Sequence, residues 1–200
     1  MIKRHVLESL TWGSKVSGTD LLKGRGQTAL DVGCAYGYAL DLLEKSGYAA
    51  CGVDISMHGI MQAKATRETD LVVCDVQEGL PFAPNAFDLL TCFGVIEHLS
   101  NPLAALRNML ASCRRTMICT TPNMLVEKPV KRVIRDYDET HINVRSKTAW
   151  ESCISQNLSY SYLKIEPFLD ASLRVTDKLL FFKSFKVPYL GLDLRILIKK

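Results

Sequence analysis

The chain has 200 residues, 48% of them hydrophobic, with a formal net charge of +4 and seven cysteines. This length and apolar content suffice for one substantial core and predict a single domain over 1–200, while so small a net charge gives no ground for nucleic-acid binding unless it is gathered into a patch. The basic start is followed by no apolar run of signal-peptide length, and no stretch of about 18 apolar residues occurs, so a cytoplasmic chain is expected. Cys51, Cys74, Cys92 and Cys119 fall in four different predicted strands and no Cys-x-x-Cys pair occurs, so they read as small core residues and no metal is expected.

Residues 1–26 form a helical lead-in, with Ile2, Val6, Leu7 and Leu10 at helical spacing before Trp12, Gly13 and a Ser17-Gly18-Thr19-Asp20 stretch that suggests a break. Thr28 to Val32 is a short apolar strand, and Gly33 to Gly37 is a tight turn that lets backbone approach a ligand. Leu40, Leu42, Leu43 and Tyr48 then mark the buried side of a helix, and Ala49 to Val53 a second strand ending in Asp54. Asp54 follows Gly33 by about 20 residues, the reach of a carboxylate that accepts both hydroxyls of a ribose. A dinucleotide fingerprint begun at Gly33 would need glycines where Ala35 and Tyr38 stand, which opposes a nicotinamide cofactor.

The run Leu30-Asp31-Val32-Gly33-Cys34-Ala35-Tyr36-Gly37 resembles the first motif of class I S-adenosylmethionine-dependent methyltransferases, and Val53-Asp54-Ile55-Ser56 resembles the second. The one departure is Ala35, where the family usually has glycine. The resemblance implies an α/β, doubly wound, mostly parallel seven-stranded sheet of Rossmann-like form whose last strand is antiparallel, with S-adenosylmethionine as cofactor. It assigns cofactor contacts to Asp31, Gly33, Cys34, Gly37, Asp54, Ile55 and Phe93. Asp75 and Val76, after a third strand over Leu71 to Cys74, would bond the adenine amino group and a ring nitrogen; the alternative is that Asp75 caps the following turn. Independently, alternating strands and helices through the first two thirds argue for ligand binding at the carboxyl ends of parallel strands.

Ala86 to Leu99 reads as a fourth strand running into an active-site loop, and its Glu97-His98-Leu99 resembles the run that lies beside the methionine part of the cofactor in the family. A helix over Pro102 to Cys113, a strand over Thr116 to Thr120 and a helix from Ser146 to about Asn157 follow. Between them, residues 124–145 change character, with Val126, Val130, Val133, Ile134 and Tyr137 interleaved with Lys128, Lys131, Arg132 and Arg135, which suggests an amphipathic, basic, lid-like insertion. Ser159 to Glu166 and Leu194 to Ile198 are the sixth and closing strands, and the Phe- and Lys-rich Leu179 to Leu192 reads as packing in preference to a substrate wall.

Methyl transfer from a sulfonium is an in-line displacement, so the protein chiefly aligns nucleophile, methyl and leaving group, and no metal is required. An oxygen or nitrogen nucleophile can still need a proton removed, for which His98 and His141 are the candidates; His98 is preferred because it follows the fourth strand, whereas His5 lies in the lead-in and His58 on an exposed helix. The chain lacks the Pro-Pro-aromatic run of base-amino methyltransferases and a Pro-Cys nucleophile, which argues against a nucleic-acid acceptor and leaves a small-molecule, glycan or lipid-linked one. The basic insertion leaves transient contact with a membrane surface open. The alternative function is a non-catalytic S-adenosylmethionine-binding regulatory module or partner subunit.

Overall fold

The computed structural model describes residues 2–127, 129, 139–175, 178–188 and 190–200. Its strands are β1 (Thr28–Val32), β2 (Ala49–Asp54), β3 (Asp70–Val73), β4 (Phe87–Phe93), β5 (Cys113–Pro122), β6 (Tyr162–Val175), β7 (Lys178–Lys186) and β8 (Asp193–Lys199). They form one sheet in the order β3-β2-β1-β4-β5-β8-β6-β7. β1 to β5 pair in parallel, and β8 enters between β5 and β6 antiparallel to both. The sheet therefore has eight strands and not seven. The extra one is β7, which pairs with β6 as an antiparallel hairpin where sequence alone suggested only packing. Its exposed Lys183 and Lys186 break the apolar alternation of a half-buried strand, and lysine is what a sheet edge commonly carries against further pairing.

Five helices are described: α1 (Ile2–Ser17), α2 (Tyr38–Lys45), α3 (Met57–Lys64), α4 (Pro102–Ser112) and α5 (Lys147–Asn157). Side-chain alternation along β1 sends Leu30 and Val32 into a core with Leu106, Met109, Trp150 and Ile154 of α4 and α5. Ala29 faces the opposite layer with Leu10, Leu40, Leu43 and Ile60 of α1, α2 and α3. The starts of the helices are set locally: the hydroxyls of Ser56 and Ser146 accept the backbone N–H groups of Gly59 and Ala149, three residues on.

The expected break falls at the Ser17-Gly18-Thr19-Asp20 stretch, where α1 ends, and not at Gly13. α1 continues to Ser17 because Gly13 lets the helix lie directly on the sheet, where a Cβ would meet Ile118 Cδ1 at 2.3 Å. Trp12 then anchors the helix by donating from Nε1 to Glu166 Oε2 at 3.0 Å and by meeting Phe168 edge to face. This anchoring lays the first turns of α1 over the carboxyl ends of the parallel strands. Of the lid-like insertion, residues 124–127 and 129 are helical; Lys128, Val130, Lys131, Arg132, Val133, Ile134, Arg135 and Tyr137 lie outside the described residues, as does Tyr189. No helix among the described residues is long and apolar enough to cross a membrane.

Candidate active site

The turn after β1 is pinned to β2, since the N–H groups of Gly33 and Cys34 both donate to Val53 O, at 2.8 and 3.0 Å. Gly33 and Gly37 adopt φ of 74° and 75°, a region that suits glycine, and a Cβ on Gly33 would lie 2.2 Å from Val95 Cγ2. Ala35 also has a positive φ, of 43°, so the turn keeps its form in spite of the departure from glycine. Asp54, at the end of β2, takes the Ala35 N–H on Oδ2 at 2.7 Å and the Ser56 N–H on Oδ1 at 2.8 Å.

These groups open onto a cavity of about 420 Å³ lined by Gly33, Asp54, Ile55, Asp75, Val76 and His98 among others. Asp75 Oδ1 accepts the Gln77 N–H at 2.9 Å, so its carboxylate caps the following turn while lining the cavity. Ile55 stands exposed at the lip and Val76 is buried in the wall. A carboxylate placed for a diol, a second acidic group and apolar walls between them make a donor and acceptor set that fits an adenosine.

A second cavity of about 410 Å³ continues beneath α1, where Asp31, Cys34, Tyr38 and Phe93 face Ile2 and Val6. Asp31 is 3% exposed, and burial pushes its pKa up to about 7 although Thr91 donates to its Oδ1 at 2.7 Å. A buried carboxylate of this kind gains from a cationic partner, and the ammonium of an amino-acid moiety would supply one. Burial also raises the Cys34 thiol to about 12, so Cys34 is a wall and not a nucleophile.

A third cavity, again of about 410 Å³, lies between α1 and the β6–β7 hairpin. Its polar wall joins Glu97 of the Glu97-His98-Leu99 run to residues that no motif marked, among them His5, Asp170 and Asp193. His5 Nδ1 lies 2.6 Å from Asp170 Oδ2, and Arg195 Nη2 donates to Asp170 Oδ1 at 3.0 Å. Burial would raise the Asp170 pKa, but the hydrogen bonds from His5 and Ser184 and the charge of Arg195 hold it below the usual range. Burial pushes Glu97 up to about 7, and its Oε2 finds no hydrogen-bond partner among the described residues. Gly94, with φ of 66°, lines all three cavities and so marks their junction.

The two expected histidines lie to one side of this third cavity. His98 is exposed on the adenosine side, with Nδ1 3.2 Å from Thr140 O, and its ring meets that of His141 edge to face at 4.7 Å. His141 pairs through Nδ1 with Glu127. Glu97, His98 and His141 offer ligand atoms within 4.8 Å of one another, a spacing suited to a cation. No local signal marked His5, since its partner Asp170 is 165 positions away in the chain.

A parallel α/β sheet with a glycine turn after β1, a carboxylate ending β2 and cavities at the strand ends defines a nucleotide-binding class of fold. The chain belongs to the methyltransferase domain family, whose model matches residues 12–157, and the class I S-adenosylmethionine-dependent resemblance of its motifs holds. The cofactor of that family is S-adenosylmethionine. The fold is that of an S-adenosylmethionine-dependent methyltransferase from Archaeoglobus fulgidus, with a TM-score of 0.69 at 21% identity over 97% of this chain and 93% of that one.

Among curated relatives, the 18S rRNA (guanine-N(7))-methyltransferase of Schizosaccharomyces pombe is 34% identical over 85 residues, 41% of this chain and 32% of that protein. The ubiquinone biosynthesis O-methyltransferase of Methylococcus capsulatus is 35% identical over 95 residues, 45% of this chain and 38% of that protein. The matched stretch thus spans about a third of these relatives' length. The rRNA methyltransferases overturn the expectation against nucleic acid as a partner. That expectation rested on motifs of other base methyltransferases, and guanine N7, which already presents a lone pair, makes different demands on a site.

Proposed function

We propose that the protein is an active methyltransferase that carries the methyl group of S-adenosylmethionine to an oxygen or nitrogen of an acceptor held between α1 and the β6–β7 hairpin. The observation that supports this reading is that Gly94 lines all three cavities and is the only residue common to them among the described ones, which favours methyl transfer beside it. Bound there, the cofactor supplies an electrophilic methyl group on a sulfonium. Asp54 receives the ribose hydroxyls, Asp75 and Val76 meet the adenine edge, and Asp31 holds the ammonium. Gly94, lacking a side chain, leaves room between the cavities, and the buried Val6 of α1 makes part of their apolar wall.

Two acceptor classes are supported by different relatives: a small hydroxyl compound by the O-methyltransferase, and a guanine base in RNA by the rRNA enzymes. Incubation with methyl-tritiated S-adenosylmethionine and either a small-molecule extract or total RNA separates them by the fraction that carries label. Tight cofactor binding with label in neither fraction would favour the non-catalytic binding module.

A further inference from the structure

We propose that His5, oriented by Asp170, is the general base of this site and that the acceptor it serves is a hydroxyl group on a small apolar molecule. The proposal rests on the methyltransferase reading above and names the substrate class for it. α1 brings His5 to the wall of the acceptor cavity, where the ring stands edge-on to Phe93 with centroids 6.3 Å apart. Asp170 holds Nδ1 at 2.6 Å and is itself held by Arg195 Nη2, so the imidazole is fixed from behind by a charged pair. An ionised carboxylate only accepts, so Nδ1 carries the proton and Nε2 presents its lone pair. Nε2 has Thr120 Oγ1 as a neighbour, at 3.3 Å, which a hydroxyl entering the cavity can replace.

The rest of the wall fits that acceptor. Phe93, Phe182 and Pro122 make an apolar slot, and the ionisable groups around His5 are carboxylates: Asp170 from β6, Asp193 from β8 and Glu97 after β4, with Arg195 of β8 committed to Asp170. Asp170 and Asp193 each offer an oxygen within 4.8 Å of a His5 ring nitrogen. Guanine N7 has a lone pair and no proton to lose, so a base would have no task there. A hydroxyl has one. Its oxygen bonds to the methyl carbon as the carbon–sulfur bond breaks, the electron pair remains on sulfur as a thioether, and the hydroxyl proton passes to His5 Nε2.

The test uses the full chain, methyl-tritiated S-adenosylmethionine, and phenol beside 4-nitrophenol, which is already ionised at mildly alkaline pH and needs no base. His5→Gln should lower turnover of phenol by about 100-fold or more, abolish the rise of that rate with pH, and leave 4-nitrophenol turnover and cofactor affinity little changed. Asp170→Asn, which leaves Nε2 in place but disturbs the tautomer, should show the same selective loss in weaker form. Equal loss on both phenols in folded variants would make His5 structural. Cofactor binding with label on RNA and on neither phenol would overturn the hydroxyl class while leaving the methyltransferase reading intact, whereas absent cofactor binding would remove that reading itself. Loss of activity in EDTA restored by Mg²⁺ would mean that the carboxylates and His5 serve a cation, which would also overturn the proposal.

Discussion

Asp54 and Ala35 are joined across the mouth of the cofactor cavity, with the carboxylate Oδ2 taking the Ala35 N–H at 2.7 Å. The carboxylate proposed to receive the ribose hydroxyls therefore also holds the turn beside it. Asp54→Ala should weaken S-adenosylmethionine binding by about 1.5–3 kcal/mol, the range for losing charge-assisted hydrogen bonds. Calorimetry on the folded variant checks this, and unchanged affinity would remove Asp54 from the site.

Ala35 occupies its turn at φ of 43°, where an L-residue is strained by roughly 1–2 kcal/mol. Glycine relieves that strain but gives the unfolded chain about 0.5–1 kcal/mol more freedom. Ala35→Gly should accordingly stabilise the protein by about 0.5 kcal/mol in urea denaturation, with the Ala35 N–H still donated to Asp54. A clear loss of stability would show that the methyl group packs against something useful.

Glu97 should make stability fall with rising pH. Burial lifts its pKa from 4.5 to about 7, so the folded state keeps the proton longer than the unfolded chain does. The stabilisation is complete below the unfolded value and is lost as pH rises through about 7, a change of up to about 3 kcal/mol for a shift of this size. Glu97→Gln carries no titrating group, so its stability relative to wild type should improve by that amount between acid and mildly alkaline solution. Asp31 titrates in the same direction but is common to both proteins and cancels. Urea titrations at both ends of the range measure the difference, and a pH-independent gap would contradict the assignment.

The glycine turn and the carboxylate that line the candidate cofactor cavity were legible because they are set locally. Gly33, Gly37 and the carboxylate of Asp54 lie within one strand–turn–helix–strand unit, and the apolar strands around them are short runs bounded by turns. The acceptor half was not, because it is assembled from the two ends of the chain. His5 meets Asp170 only after α1 folds back over the sheet, and Trp12 reaches Glu166 across 154 positions. β6 extends past Glu166 to Val175, where Leu169, Ala171, Leu173 and Val175 continue the apolar alternation and backbone pairing with β7 carries the strand on. Gly13 lies inside α1 at a close approach to β5, a role that only the neighbouring Ile118 reveals.

Gly94 lines all three cavities, which are proposed to form one continuous site for cofactor and acceptor. A crystal structure with S-adenosylhomocysteine tests this most directly. The account predicts the ribose hydroxyls on Asp54, the ammonium beside Asp31, and the sulfur at Gly94 facing the cavity that holds His5. A product bound with its sulfur turned away from that cavity, or bound elsewhere on the sheet, would contradict it.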